Sequence, residues 1–138
     1  MTLIASHSGI RGVYGESLTL DLVMKLTRTF VRLWSVKSIV VGRDTRPSGS
    51  SIEHVVLSTL ADLGCKVYVV GVQPTPVILW ASRRLETDGT IIISASHNPP
   101  EWNALKFAFK GLFLDGYEVS KLMEALKEEQ ELRRARES

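Results

Sequence analysis

Three short runs dominate what this chain can fold into: KSIVVGRD at 37–44, CKVYVVG at 65–71 and GTIIISA at 89–95. Each is a nearly unbroken series of β-branched and other apolar residues, the pattern of a strand covered on both faces. Between them the apolar residues recur at helical spacing. Leu18, Leu22, Val23, Leu26, Phe30, Leu33 and Trp34 share a face, with Thr19 as N-cap and Asp21 in the first turn. Ile52, Val55, Val56, Leu60 and Leu63 share another, closed by Gly64 as a left-handed stop. In QPTPVILWASRRLE, Thr75 is the expected cap and Pro76 the first helical residue. ALKFAFKG at 104–111 reads as a fourth strand, and Tyr117 to the end as a helix with a Glu129–Arg133 pair. Strand and helix in alternation predict an α/β fold. The expected form is a three-layer α/β/α domain around a mostly parallel four-stranded sheet, the last strand antiparallel. The last two turns of the final helix carry almost no apolar face and are expected to project into solvent or to lead toward something outside this sequence.

Composition narrows the function classes. The chain has 138 residues, 44% of them hydrophobic, which suits one domain with its own core. Seventeen basic residues against fifteen acidic ones leave a net charge of +2. With no basic stripe and no interleaved aromatics, nucleic acid is not an expected partner. The single cysteine, Cys65, excludes an internal disulfide and is read as a small core residue. MTLIASHSGIRG lacks the charged and apolar regions of a signal peptide. No apolar stretch approaches the ~20 residues that span a bilayer. A cytoplasmic protein without membrane contact is the expectation.

In open α/β sheets, ligands sit beyond the carboxyl ends of the strands. Three loops leave those ends: GRDTRPSG (42–49), GVQPTP (71–76) and SASHNPPEWN (94–103). The third is richest in chemistry. Ser96 offers a hydroxyl and His97 an imidazole. Pro99 and Pro100 stop the strand and stiffen the loop around Asn98. Lys106, ten residues after Ser96, can fold back beside it. Arg11 lies between two glycines in GIRG, where backbone can approach an anion. If Arg11, His97 and Lys106 converge on Ser96, they form a cationic ring suited to a phosphate of about −1.5 to −2 charges.

Several of these features have plainer readings. A Ser-His pair in a loop is more often structural than catalytic. Arg43, Asp44 and Arg46 read as a solvated surface network. Trp34, Trp80 and Phe107 read as packing residues, and Trp102 beside the loop is left open. His7 and His54 receive no role. With neither H-x-x-x-H nor C-x-x-C present, the three histidines suggest no metal site.

GIRG, VGRDTRPSG, PTP and SASHNPPEWNALKF occur in an order and spacing that resemble the α-D-phosphohexomutases, the family of phosphomannomutase and phosphoglucomutase. The resemblance covers about residues 10–110. It implies that Ser96 carries a phosphoryl group and gives it to a hexose phosphate, mannose or glucose 1- or 6-phosphate. A 1,6-bisphosphate intermediate then returns the other phosphate. It implies that His97 and Asn98 contact and shape the serine loop, that Lys106 is the general acid/base, and that Arg11 faces the phosphoserine. Arg43 is a further candidate phosphate ligand. Mg²⁺ is the implied cofactor, held by the phosphate on Ser96 and by a D-x-D-x-D loop of a second domain. Ser94 stands where the family has threonine, Ala104 where it has glycine, and SHSGIRG in place of F-G-T-x-G-I-R-G.

Members of that family have four domains and this sequence matches the first. Residues 1–115 are therefore read as domain I with its active-site serine loop, and 116–138 as a connector helix. The expected partners are the remaining domains, in cis or as a separate chain, because the chain reads as a fragment or one part of a split enzyme. A phosphosugar-binding module that kept the loop without the chemistry is the alternative. A serine hydrolase would need G-x-S-x-G and an acid to orient His97, and the sequence offers neither.

Overall fold

A computed structural model describes residues 3–137. Along the chain run β1 (Ile4–Ser6), β2 (Gly9–Val13), α1 (Leu20–Trp34), β3 (Ser38–Arg43), α2 (Gly49–Asp62), β4 (Lys66–Val72), α3 (Thr75–Arg84), β5 (Gly89–Ile93), β6 (Trp102–Phe109), β7 (Leu112–Phe113) and α4 (Gly116–Glu137). The α/β/α layering is as expected. Side chains of β3 and β5 alternate between two cores. Ile39, Val41, Ile91 and Ile93 pack with α1, α2 and α4, whereas Val40 and Ile92 pack with Ile78 of α3.

The sheet is larger and more mixed than the sequence predicts. Its seven strands run β1-β2-β6-β5-β3-β4, with β7 beside β6. β3 pairs in parallel with β4 and β5, but the pairings of β1 with β2, β2 with β6, β5 with β6 and β6 with β7 are antiparallel. β6 is antiparallel as expected. The three unforeseen strands are short or glycine-rich: IAS, GIRGV and LF carry no periodic signal. β4 also differs from expectation. It is an edge strand with Val69 and Val72 exposed, because only β3 flanks it.

Local signals place the helices well. The Thr19 hydroxyl accepts from the Leu22 amide at 3.2 Å and caps α1. Gly64 follows α2 at φ +77. At α3 the cap falls one residue earlier than expected: Pro74 precedes the helix, and Thr75 is already inside it. Phe30 is sandwiched by Trp34 and Phe107, with ring centroids 5.4 and 4.8 Å away. Trp80, expected to pack, is 62% exposed on the outer side of α3. α4 sends Val119, Leu122 and Leu126 into the core. Past Leu126 its contact with α1 continues through ions, since Glu129 meets Arg28 at 3.0 Å and Arg32 at 3.5 Å; Glu129 also pairs with Arg133 of α4 itself at 3.3 Å. No helix among the described residues is long and apolar enough to cross a membrane.

The crossovers locate the crevice. α2 carries the chain from β3 outward to β4, and α3 brings it back across the opposite face to β5, on the other side of β3. The carboxyl ends of β3 and β5 thus form a topological switch point, where outgoing loops part and leave a cleft. α3 packs chiefly on β3 and β5. The neighbouring stretch of β6 and β2 on that face is left open to hold functional side chains.

Candidate active site

Two of the three rim loops meet at the switch point. The loop after β5 carries Ser94–Ala95–Ser96–His97–Asn98, and the loop after β3 carries Asp44–Thr45–Arg46. The third, 71–76, leaves the edge strand β4 and contributes nothing to the cavity. Ser96 is exposed and sits at φ +52, a left-handed conformation that residues other than glycine seldom adopt. Such outliers concentrate at functional sites.

Strand register supplies the cations. Arg11 of β2 pairs with Ala104 of β6, so Arg11 and Lys106, two residues past Ala104, project from the same open face. Lys106 pairs with Ile92, whose own face is the one that meets α3. Lys106 Nζ donates to Ser96 Oγ at 2.8 Å, and Arg11 Nη1 donates to Asn98 Oδ1 at 3.1 Å. Gly9 makes the approach possible. It has φ +104, and a Cβ there would lie 2.7 Å from the Leu105 carbonyl oxygen and 2.9 Å from Lys106 Cγ. Ala104, in place of a family glycine, is a buried strand residue without positive φ and disturbs nothing.

These residues enclose a cavity of about 370 Å³ lined by Ser8, Arg11, Ala95, Ser96, His97, Asn98 and Lys106. Burial holds the Lys106 ammonium below the ordinary lysine pKa. The Arg11 and Arg46 charges push the same way, and Asp44 partly opposes them. A lysine so lowered gives up its proton at smaller cost than an ordinary one. The cavity can receive an anion, donate hydrogen bonds to it, and move a proton at Ser96 Oγ.

Of the residues singled out in the sequence, Ser96, His97, Asn98, Lys106 and Arg11 come together. Arg43 does not: its Nε lies 3.6 Å from Glu53 Oε1 over α2, away from the cavity. Position 43 ends β3, and its stem packs by Gly49, where the helix leaves room for it. Asp44 and Arg46, read as a surface network, instead knit the serine loop. Arg46 donates to the carbonyls of Ser96 (2.6 Å), Pro99 (2.8 Å) and Trp102 (3.1 Å), and to Asp44 Oδ2 (3.1 Å). The signal was their position, directly after a buried strand at the switch point. Ser8, at the tip of the β1–β2 turn, had no sequence signal beyond its nearness to GIRG.

Among the described residues, no three of His, Cys, Asp and Glu converge as a metal site. Asp44, the carboxylate tied to the loop, is taken up by Arg46 and Ser94. The described side chains alone therefore do not fit a divalent cation.

The family described as phosphoglucomutase/phosphomannomutase, alpha/beta/alpha domain I, matches residues 3–133. A phosphoglucomutase/phosphomannomutase of Thermococcus kodakarensis is 39% identical over 126 residues, 88% of this chain and 27% of that protein. A phosphoglucosamine mutase of Thermotoga maritima is 39% identical over 117 residues, 85% of this chain and 26% of that protein. A crystal structure of a phosphoglucomutase/phosphomannomutase family protein from Burkholderia thailandensis superposes with a TM-score of 0.77 at 29% identity, covering 92% of this chain and 31% of its own. The chain thus spans about a quarter of the length of the curated relatives it matches.

Proposed function

The chain belongs to the phosphoglucomutase/phosphomannomutase family as its domain I, and on that premise we propose that Ser96 is the phosphoryl carrier of a hexose-phosphate mutase. One observation carries the reading: an exposed, left-handed serine whose Oγ accepts from Lys106 at 2.8 Å inside a cavity that Arg11 also lines. Phosphoryl transfer asks for placement and for neutralisation of spreading negative charge. Arg11 and Lys106 supply positive charge, and the stiff loop supplies placement.

In the proposed reaction the bond between Ser96 Oγ and phosphorus breaks as a sugar hydroxyl bonds to phosphorus. The hydroxyl proton passes to a base that the remaining domains would supply, which gives it back to the sugar oxygen that loses phosphate in the return step, and Lys106 hands a proton to the departing Oγ. A hexose 1,6-bisphosphate results. After it turns over in the site the other phosphate returns to Ser96 and Lys106 recovers its proton. Net, a hexose 1-phosphate and 6-phosphate interconvert. His97 and Asn98 would steady the phosphate from the loop side. Mg²⁺ would supply further charge neutralisation, with phosphate oxygens on Ser96 as this domain's only contribution. The other ligands, and the contacts that choose among glucose, mannose and glucosamine phosphates, would come from the remaining domains. This domain alone is therefore expected to lack turnover.

Incubation with glucose 1,6-bisphosphate and Mg²⁺, alone and with the remaining domains of a relative, tests the reading. Phosphopeptide mapping should find phosphate on Ser96 in the complemented enzyme, and turnover only there. Phosphate on another residue would overturn the assignment. Phosphosugar binding with no turnover in the complemented mixture would favour a binding module instead.

A further inference from the structure

Arg11 and Lys106 bond the serine loop from within the cavity, and a second set of residues holds its backbone from outside that cavity. A serine at φ +52 occupies a sparsely populated backbone region; Ser35 takes it as the C-cap of α1, whereas Ser96 takes it in a loop away from any helix end. Both peptide units around Ser96 are anchored. On the carbonyl side, Arg46 Nη2 donates to Ser96 O at 2.6 Å, while Nη1 reaches the Pro99 and Trp102 carbonyls across the loop. On the amide side, Ser96 N–H donates to Ser94 Oγ at 3.2 Å, and Ser94 Oγ–H donates to Asp44 Oδ2 at 2.7 Å. Asp44 closes the circuit by accepting from Arg46 Nε at 3.1 Å. The Arg46 side chain is only 10% exposed. Its planar fork matches several fixed acceptors at once, which a lysine point charge does not.

We propose that Asp44 and Arg46 are positioning residues, a clamp reaching across the switch point that holds Ser96 left-handed so that its hydroxyl faces Lys106 and Arg11. This deepens, and rests on, the reading of Ser96 as phosphoryl carrier. Neither residue lines the cavity that holds Arg11 and Lys106; both line a neighbouring one of about 320 Å³ that shares Ser96 and Asn98 with it, so toward Lys106 they act through the loop and through charge. The groups facing Lys106 are Arg11 from β2, Asp44 and Arg46 from the loop after β3, and Ser96 and His97 from the serine loop. In charge the clamp nearly cancels itself, and its net contribution is geometric.

The test uses the whole chain with Arg46→Met, Arg46→Lys, Asp44→Asn and Ser94→Ala. The last two keep side-chain size nearly unchanged, so at least part of the series stays folded. Amide exchange at Ser96 and Asn98 reports the loop, exchange in β5 reports the fold, and an NMR titration of Lys106 Nζ reports the charge field. Arg46→Met is expected to speed exchange at Ser96 and Asn98 by about tenfold or more while β5 stays protected. Lys106 should then titrate higher. Asp44→Asn should move Lys106 lower, Ser94→Ala should speed exchange at Ser96 alone, and Arg46→Lys should restore the charge but not the loop. Folded Arg46→Met and Asp44→Asn proteins with unchanged loop exchange would overturn the clamp. Phosphate mapping on the complemented enzyme separates the two claims. If the wild type takes no phosphate on Ser96 but the loop responses appear, the carrier reading fails and the clamp stands. If the wild type takes phosphate and folded Arg46→Met does so at the same rate, the clamp fails and the carrier reading stands.

Discussion

Gly9→Ala is the substitution whose cost follows most directly from the coordinates, and Gly15→Ala is its internal control. Both glycines have positive φ, +104 and +85. Alanine in left-handed backbone costs about 1–2 kcal/mol. The stiffer unfolded chain returns about 0.4–1 kcal/mol of that. Gly15 stops there, because a Cβ on it meets nothing within 4 Å. At Gly9 the new methyl would sit 2.7 Å from the Leu105 carbonyl oxygen and 2.9 Å from Lys106 Cγ. The lysine stem can move but the strand carbonyl cannot do so cheaply, and forced overpacking of this kind costs about 1–3 kcal/mol more. Gly9→Ala should therefore exceed Gly15→Ala by about that overlap.

Urea unfolding measures the difference. With m of about 1–3 kcal/mol/M, the midpoint of Gly9→Ala should fall roughly 1 M below that of Gly15→Ala, with m unchanged in both. A second readout is local. Displacing Lys106 Cγ should lengthen the Lys106–Ser96 bond, so the Lys106 Nζ signal should shift in Gly9→Ala and not in Gly15→Ala. Equal midpoints for the two variants would refute the reasoning, since the contact at Gly9 would then carry no energy.

The other predictions concern charge. Lys106→Met removes an ammonium that burial and two arginines disfavour, so it should leave Tm unchanged or raise it while abolishing phosphate transfer to Ser96 in the complemented enzyme. The folded pKa of Lys106 lies below 10.5, so the unfolded chain binds more protons between that value and 10.5. Wild-type stability should gain across that window as pH rises, and the gain should be absent in Lys106→Met. Asp88 accepts from the Lys37 and Ser38 amides at 2.8 and 3.3 Å and from Lys110 at 3.0 Å. The Lys37 amide is the main cause holding its carboxyl below 3.8. Its contribution is present above 3.8 and is lost as pH falls through the folded value, so Asp88→Asn should lose about 1–2 kcal/mol at neutral pH and flatten that acid limb. Glu129→Ala removes the partner shared by Arg28, Arg32 and Arg133. It should cost about 1 kcal/mol at low salt, less at high salt, and should speed amide exchange in the last turns of α4.

What could be read before the structure follows from what local sequence encodes. The helices at 20–34 and 49–62 and the strands at 38–43 and 89–93 carry strong periodicity or unbroken apolar runs. Their caps, Thr19 and Gly64, act through bonds and dihedrals only a few residues long. The β1–β2 hairpin is different. GIRGV is a strand only because β6 lies beside it, and nothing local distinguishes it from a turn. Arg11 could be named from its glycine neighbours, but that it shares a face with Lys106 depends on a register between positions more than ninety residues apart. Arg43, Asp44 and Arg46 show the same limit. Three charged residues in four positions look alike in sequence, yet the end of β3 turns Arg43 toward Glu53 and sends the other two across the switch point.

The direction of the Lys106–Ser96 hydrogen bond bears on which chemistry the cavity suits. An ammonium has three donors and no acceptor, so at Ser96 Oγ it can only give. A donor on a hydroxyl oxygen lowers that oxygen's nucleophilicity and steadies negative charge building on it. This is the reverse of what a hydrolase asks of its serine, where a base draws the proton away. It is what a departing serine oxygen requires when phosphorus moves to an acceptor. In the proposed reaction the lowered pKa would serve the return step, since a lysine that gives up its proton at smaller cost can take one back from Oγ as the second phosphate arrives. The loop's strain fits the same division of labour. Ser96 is held in a backbone it would not choose by residues outside the cavity, which leaves its hydroxyl and the cations around it free to meet phosphate.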